Sequence, residues 1–168
     1  MAISASVLPE FEHEMANTRK ILAIVPEADV AWKPHPKSTS LGALTLHLSN
    51  IPHWASATLE RTELDLAPPG GPPYDPPKFQ SVAKALAQFD ANVTAGKSAI
   101  GAASDADWMV PWSLKFGGKT IFTMPRVAVM RSFVMSHMIH HRGQMTVYLR
   151  LRDVPLPGIY GPSADEQM

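Results

Sequence analysis

The sequence predicts an all-α protein, a four-helix bundle with a small β-hairpin inserted between its third and fourth helices. Three observations predict it. Four stretches return apolar residues at the i, i+3, i+4 spacing of an amphipathic helix. The connections between them are punctuated by proline and glycine, which neither a helix interior nor a central strand tolerates. Short alternating runs flank Gly117 and Gly118, enough for a hairpin and too little for a sheet domain. Four helices with two long connections fit a bundle better than a β-rich fold.

The first helix is expected from Pro9 to about Val25. Pro9 suits a first turn, Glu10, Glu12 and Glu14 lie near the positive end of the macrodipole, and Phe11, Met15, Thr18, Leu22 and Val25 form the inner stripe. Pro26, Pro34 and Pro36 then keep VPEADVAWKPHPKSTS extended. Within it Trp32 is expected to pack as a lid on the bundle end, and His35, held between two prolines, to face solvent. Ser38, Thr39 and Ser40 offer N-caps to a second helix, LGALTLHLSNIPHWASATLERTEL, which Pro52 should kink by removing a backbone donor. LAPPGGPPYDPPK reads as a surface crossover. A third helix is expected from about Ser81 to Ile100, with Val82, Leu86, Phe89, Val93 and Ile100 on one face and Gly101 ending it. DWMVPWSLKFGGKTIFTMP reads as the hairpin with a glycine turn. Thr123 and Pro125 open the fourth helix, Arg126 to Leu151, and the tail DVPLPGIYGPSADEQM is extended.

Composition bounds what the chain does. The 168 residues, 45% hydrophobic and 18% charged, fit one soluble domain spanning 1–168 with a core of its own. Lys plus Arg equals Asp plus Glu at 15 each, so no global basic field exists to hold nucleic acid. Cysteine is absent, which excludes disulfides, zinc ribbons and a cysteine nucleophile; any thiol chemistry needs a borrowed thiol. MAISASVLPEFEHEM lacks the basic start and apolar core of a signal peptide, and no apolar run is long enough to span a bilayer. The expectation is a cytoplasmic protein that engages neither membrane nor nucleic acid.

The chemistry concentrates in the fourth helix. At 100° per residue His137, His141 and Gln144 fall within about 60° of one another, so one face carries two imidazoles on successive turns. Such a pair either grips a divalent ion or is satisfied by hydrogen bonds. Zincin chemistry is excluded, since Met138 stands where HExxH needs its glutamate. Two ligands are too few for a catalytic site, and a third must come from another helix. His47, in the apolar middle of the second helix, is either a hydrogen-bonded core histidine or a ligand. His53 lies off its face by about 120° and His140 off the pair's line by about 60°.

LGALTLHLSNIPHW, SHMIHHRGQMTVYLRL and the closing DVPLPGIYGPSADE resemble the DinB-like (DinB/YfiT-like) family, and the resemblance extends through WKPHPKS to nearly the whole chain. It implies an up-down-down-up bundle and a divalent metal held by three histidines, one on the second helix and the pair on the fourth. By motif position these are His47, His137 and His141. Zinc or nickel heads the metals it suggests, although imidazole also suits iron and copper. The resemblance further implies low-molecular-weight thiol transfer to a small-molecule substrate, with metal-dependent hydrolysis or non-catalytic, stress-related metal binding as alternatives. Gln144 is the nearest polar candidate for a catalytic role: it either orients a bound water or caps a hydrogen-bonding need of the core. A homodimer is also implied, and Phe133, Met135, Met138 and Ile139 give the fourth helix apolar residues on several sides.

Overall fold

A computed structural model of the chain describes residues 2–72 and 77–166. The central residues of the proline-rich crossover, 73–76, lie outside the described residues. The first helix, α1, spans Ile3–Ala23 and starts six residues earlier than Pro9 suggests, with the proline inside it. Tertiary contacts hold that first turn: Ile3 N donates to Asp105 Oδ1 at 2.6 Å, Ser4 Oγ donates to the Ala103 carbonyl at 2.8 Å, and Trp108 Nε1 donates to Ser4 Oγ at 2.9 Å. No acidic residue lies in the first turn. Instead Glu10 pairs with Arg131, Glu12 with Lys97 and Glu14 with Arg142.

The second helical stretch divides where Pro52 predicts a kink. α2 covers Leu41–Asn50, capped by Ser40 Oγ accepting from Ala43 N at 3.2 Å, and α3 covers His53–Glu60. α4 spans Val82–Ala102, and Gly101 is its penultimate residue, not its stop. A short α5, Asp105–Met109, follows behind a capping box in which Ser104 and Asp107 satisfy each other's backbone donors. The last helical run begins as α6, Arg126–Val129, passes through a π-helical segment, Met130–Ser136, and continues as α7, His137–Arg150.

The all-α expectation, with its up-down-down-up four-helix bundle, is corrected here. The described residues are mostly helical with a three-stranded mixed sheet. β2, Pro111–Phe116, and β3, Lys119–Pro125, form the expected antiparallel hairpin, but β1, Glu63–Asp65, pairs parallel to β2 on its other side. β1 occupies the end of what the sequence suggests is still helix two. Its physical anchor is Asp65, whose carboxylate accepts from Gly117 N at 3.1 Å and Gly118 N at 2.8 Å in the hairpin turn. Both glycines have positive φ, 61° and 77°, as a tight two-residue hairpin turn requires. Thr123 belongs to β3, where its hydroxyl bonds Ser113 Oγ at 2.7 Å.

Among the described residues, two apolar clusters hold these parts together. The larger joins α1, α2, α4 and α7 through Phe11, Leu22, Leu44, Leu48, Phe89, Met138 and Met145. The smaller seats the sheet on α3 and α6 through Trp112, Leu114 and Val129, with Trp54, Phe122 and Phe133 against them. Gly96 lets α4 approach α1 and α3, because a Cβ there would stand 2.9 Å from Phe11 Cζ and 3.2 Å from Ala55 Cβ.

Across the core, α7 is fastened to α1 by a buried ion pair. Arg142 donates to Glu14 Oε2 at 2.5 Å, to the Glu14 carbonyl at 3.0 Å and to Thr18 Oγ1 at 3.2 Å, and Tyr160 Oη from the tail donates to the same carboxylate at 2.8 Å. Removing one partner strands a buried charge. Arg142→Met should therefore lower unfolding free energy by about 3–5 kcal/mol, and adding Glu14→Leu should restore most of it. Urea unfolding of the two variants checks this; an equal loss in the double variant would contradict it.

Candidate metal centre

His47 comes from the middle of α2, and His137 and His141 from the first two turns of α7. The i, i+4 spacing sets the two α7 rings one above the other, with centroids 4.6 Å apart. Packing of α2 on α7 then brings His47 against both, at 4.9 Å from the His137 ring and 4.5 Å from the His141 ring. One ring nitrogen from each of the three lies within 4.8 Å of the others. All three side chains are half-buried. The structure thus brings together the three histidines expected from the sequence, and leaves His35 and His53 exposed and His140 outside the group.

The outer nitrogens explain how the rings are oriented. His137 Nδ1 lies 3.3 Å from the Phe133 carbonyl, which only accepts, so the proton sits on Nδ1 and Nε2 keeps its lone pair. Gln144 Oε1 lies 2.7 Å from His141 Nδ1 and fixes the same tautomer on that ring. His47 Nε2 approaches His137 Nε2 at 3.1 Å, and with the lone pair on His137 the shared proton belongs to His47. Two of the three rings are therefore preset to present a bare Nε2 inward. The Phe133 partner is invisible to residue type, because any residue at that position supplies a carbonyl.

Burial keeps the rings neutral. Burial first, then the neighbouring His141 and His137, push His47 down to about 4. His137 is lowered by its burial and by His141, against the opposing effect of the Phe133 carbonyl. His141 is also lowered, by its burial and His140, with the Gln144 hydrogen bond opposing. A neutral imidazole is the form that ligates metal, and a divalent cation fits this donor set: three uncharged nitrogens converge, two already with outward protons.

Beside the cluster opens a polar cleft of about 520 Å³, lined by Lys37, Ser38, Thr39, Gln144 and Tyr148 together with His47 and His141. Trp32 stands edge-on to Tyr148, one of the cleft-lining residues, at 5.7 Å. Gln144 thus both lines the cleft and orients a ring.

A family model describing the DinB superfamily matches residues 10–145. The chain belongs to the DinB superfamily. This DinB-superfamily chain is 53% identical over 34 residues to the uncharacterized protein YrdA of Bacillus subtilis (strain 168), a match that spans 20% of either protein. Its fold is similar to that of a DinB-like protein from Bacillus cereus ATCC 10987, with a TM-score of 0.68 and 21% identity over 95% of this chain and 98% of that one. A second DinB-like protein, YjoA from Bacillus subtilis, superposes with a TM-score of 0.66 and 14% identity, covering 90% of this chain and 96% of its own.

The lowered His47 sets a direction for acid stability. Above 6.5, the ordinary value, folded and unfolded chains both keep the ring neutral; between there and about 4 the unfolded chain binds a proton that the folded one refuses. Stability of the metal-free protein should fall as pH falls through that window. Melting temperatures of the wild type and His47→Gln, compared across it, check the assignment: the variant should show a shallower decline, and an identical slope would contradict it.

Proposed function

We propose that the protein is a divalent-metal-dependent enzyme of thiol-transferase type, acting on a small molecule, with His47, His137 and His141 as the metal ligands. The observation that carries this reading is the convergence of three neutral imidazoles beside an open polar cleft. Three protein ligands leave coordination positions free, which separates a catalytic site from a closed structural one. A divalent ion held there supplies Lewis acidity, which acidifies a thiol or a water brought to it.

The chain's own residues do the rest. The Phe133 carbonyl and Gln144 keep protons on the outward Nδ1 atoms of His137 and His141, so neither ring swings away from the centre. Ser38, Thr39 and Tyr148 offer hydroxyls to a hydrophilic co-reactant, and Lys37 offers a cation to its carboxylate. The cleft volume suits a small molecule. The absence of cysteine from the chain makes a low-molecular-weight thiol the source of any nucleophilic sulfur.

Assembly as a homodimer belongs to the same proposal. Met135 and Met138 are buried within the chain's own core and Phe133 packs on Trp54 and Phe122, so the large apolar residues that the 126–151 stretch leaves exposed for a second copy are Ile139, Val147 and Leu151. No described helix is long and apolar enough to cross a membrane.

Elemental analysis and metal titration should give about one ion per chain, with His47→Ala, His137→Ala and His141→Ala each weakening zinc or nickel binding by more than about tenfold. Gln144→Ala should weaken it by about 10–100-fold, whereas His53→Ala and His140→Ala should bind as the wild type does. Full occupancy in His47→Ala would remove the proposed centre. For the reaction, mycothiol, bacillithiol and glutathione are screened against chlorinated and epoxide electrophiles with and without chelator. Metal-dependent transfer is expected; thiol-independent ester or amide hydrolysis would replace it with the hydrolase reading. Bound metal with neither turnover would leave a stress-related metal-binding role.

A further inference from the structure

His47 lines two clefts, one of which is much more apolar than the other. The polar one is described above. The other, about 570 Å³, is walled by Leu46, Trp54, Leu66 and Phe79, with Asn50, His53 and Lys78 as polar groups at its margin. Ala43 and His47, one turn apart on α2, line both. Around the helix Leu44 lies about 100° to one side of Ala43 and Leu46 about 60° to the other, which places the clefts on either flank of the Ala43–His47 ridge. Ala43 is exposed and carries only a methyl group, so the ridge is low at that point.

The apolar cleft has a built wall. Trp54 stacks on Phe133, with centroids 6.3 Å apart and planes 14° from parallel, and Phe133 stacks in turn on Phe122 at 4.5 Å. Trp112, fully buried, backs Trp54 at 6.1 Å. An indole held by its neighbours presents a flat, fixed surface, and aromatic ligands prefer such surfaces in offset-stacked or edge-on contact. The cleft volume is that of a small-molecule site, too small for a folded partner.

We propose that this largely apolar cleft binds the electrophilic substrate, a flat aromatic molecule, while the hydrophilic thiol occupies the polar cleft across the ridge. The assignment rests on the thiol-transferase reading for its reaction, though not for its binding. With an activated aryl chloride, the sulfur–carbon bond forms as the carbon–chlorine bond breaks. Chloride leaves with the bonding electron pair, and the thiol proton passes to solvent. The division explains why two clefts of different polarity share one histidine: each reactant is selected by its own wall, and they meet only at the ridge.

The full-length protein, metal-free and metal-loaded, is titrated with 2-naphthol by calorimetry, with glutathione as the polar probe. Saturable one-to-one naphthol binding is expected in both forms. Leu46→Arg, which places a charge in the apolar wall, should weaken it by about tenfold or more while leaving glutathione binding and metal content unchanged. Quenching of tryptophan fluorescence by bound naphthol should largely disappear in Trp54→Phe, which reads the wall by a conservative change if Leu46→Arg fails to fold. Turnover of 1-chloro-2,4-dinitrobenzene with glutathione should fall with Leu46→Arg through a raised KM for the aryl chloride alone. Absent naphthol binding, or binding and quenching indifferent to both substitutions, would overturn the cleft assignment. Naphthol binding with no metal binding would overturn the metal reading and leave the aromatic cleft standing. Binding of both with aryl chloride kinetics unmoved by Leu46→Arg would overturn the pairing of the two clefts.

Discussion

Arg142 is the group on which the placement of α7 depends. Met138, Arg142, Met145 and Leu149 recur at i, i+4, i+7 and i+11 and form the buried stripe of that helix, so an arginine stands where periodicity calls for an apolar residue. Among the described residues its charge is matched by the Glu14 carboxylate and carbonyl on α1, with Thr18 and Tyr160 beside them. A Met or Leu stripe can slide or rotate slightly at small cost; a buried charge paired to one carboxylate cannot. Such a pair adds little to net stability but fixes rotation and register. One residue away, about 100° around the helix, lies His141. The rotation that seats Arg142 on α1 is therefore the rotation that turns His137 and His141 toward α2.

The metal centre follows from two further constraints. α2 must carry a histidine into a half-buried position, which disfavours the charged ring and leaves the neutral form able to ligate. The last helix must also supply an acceptor for His137 at the right height. The Phe133 carbonyl that does so lies in the π-helical segment preceding α7, a widened turn of the kind found at functional sites. The same segment places the Phe133 ring against Trp54, so one residue orients a ligand histidine with its backbone and braces the aromatic wall with its side chain.

Much of this was legible in the residues, and the exceptions have physical causes. The i, i+4 histidine pair and the cap at Ser40 were readable because they are local. Which distant histidine joins the pair was not fixed by spacing; the family resemblance pointed to His47, and the packing of α2 on α7 brings it there. β1 escaped because three residues of strand carry no periodicity of their own, and their partner lies some fifty residues on. α1 began early because tertiary bonds from Ile3 and Ser4 override the proline signal. α5 had a readable sign, the Ser104–Asp107 capping box, obscured by the β-like run that follows it. The pairing of Arg142 was not legible, since only the fold reveals the carboxylate it meets.

The most direct test of the account is X-ray absorption at the metal edge of the zinc- or nickel-loaded protein. The imidazole ring produces a distinctive multiple-scattering pattern that counts histidine ligands without reference to activity. Three imidazoles per metal, falling to two in His47→Ala, are the predicted result. A first coordination shell made mainly of carboxylate or water oxygens, or an imidazole count unchanged by His47→Ala, would contradict it.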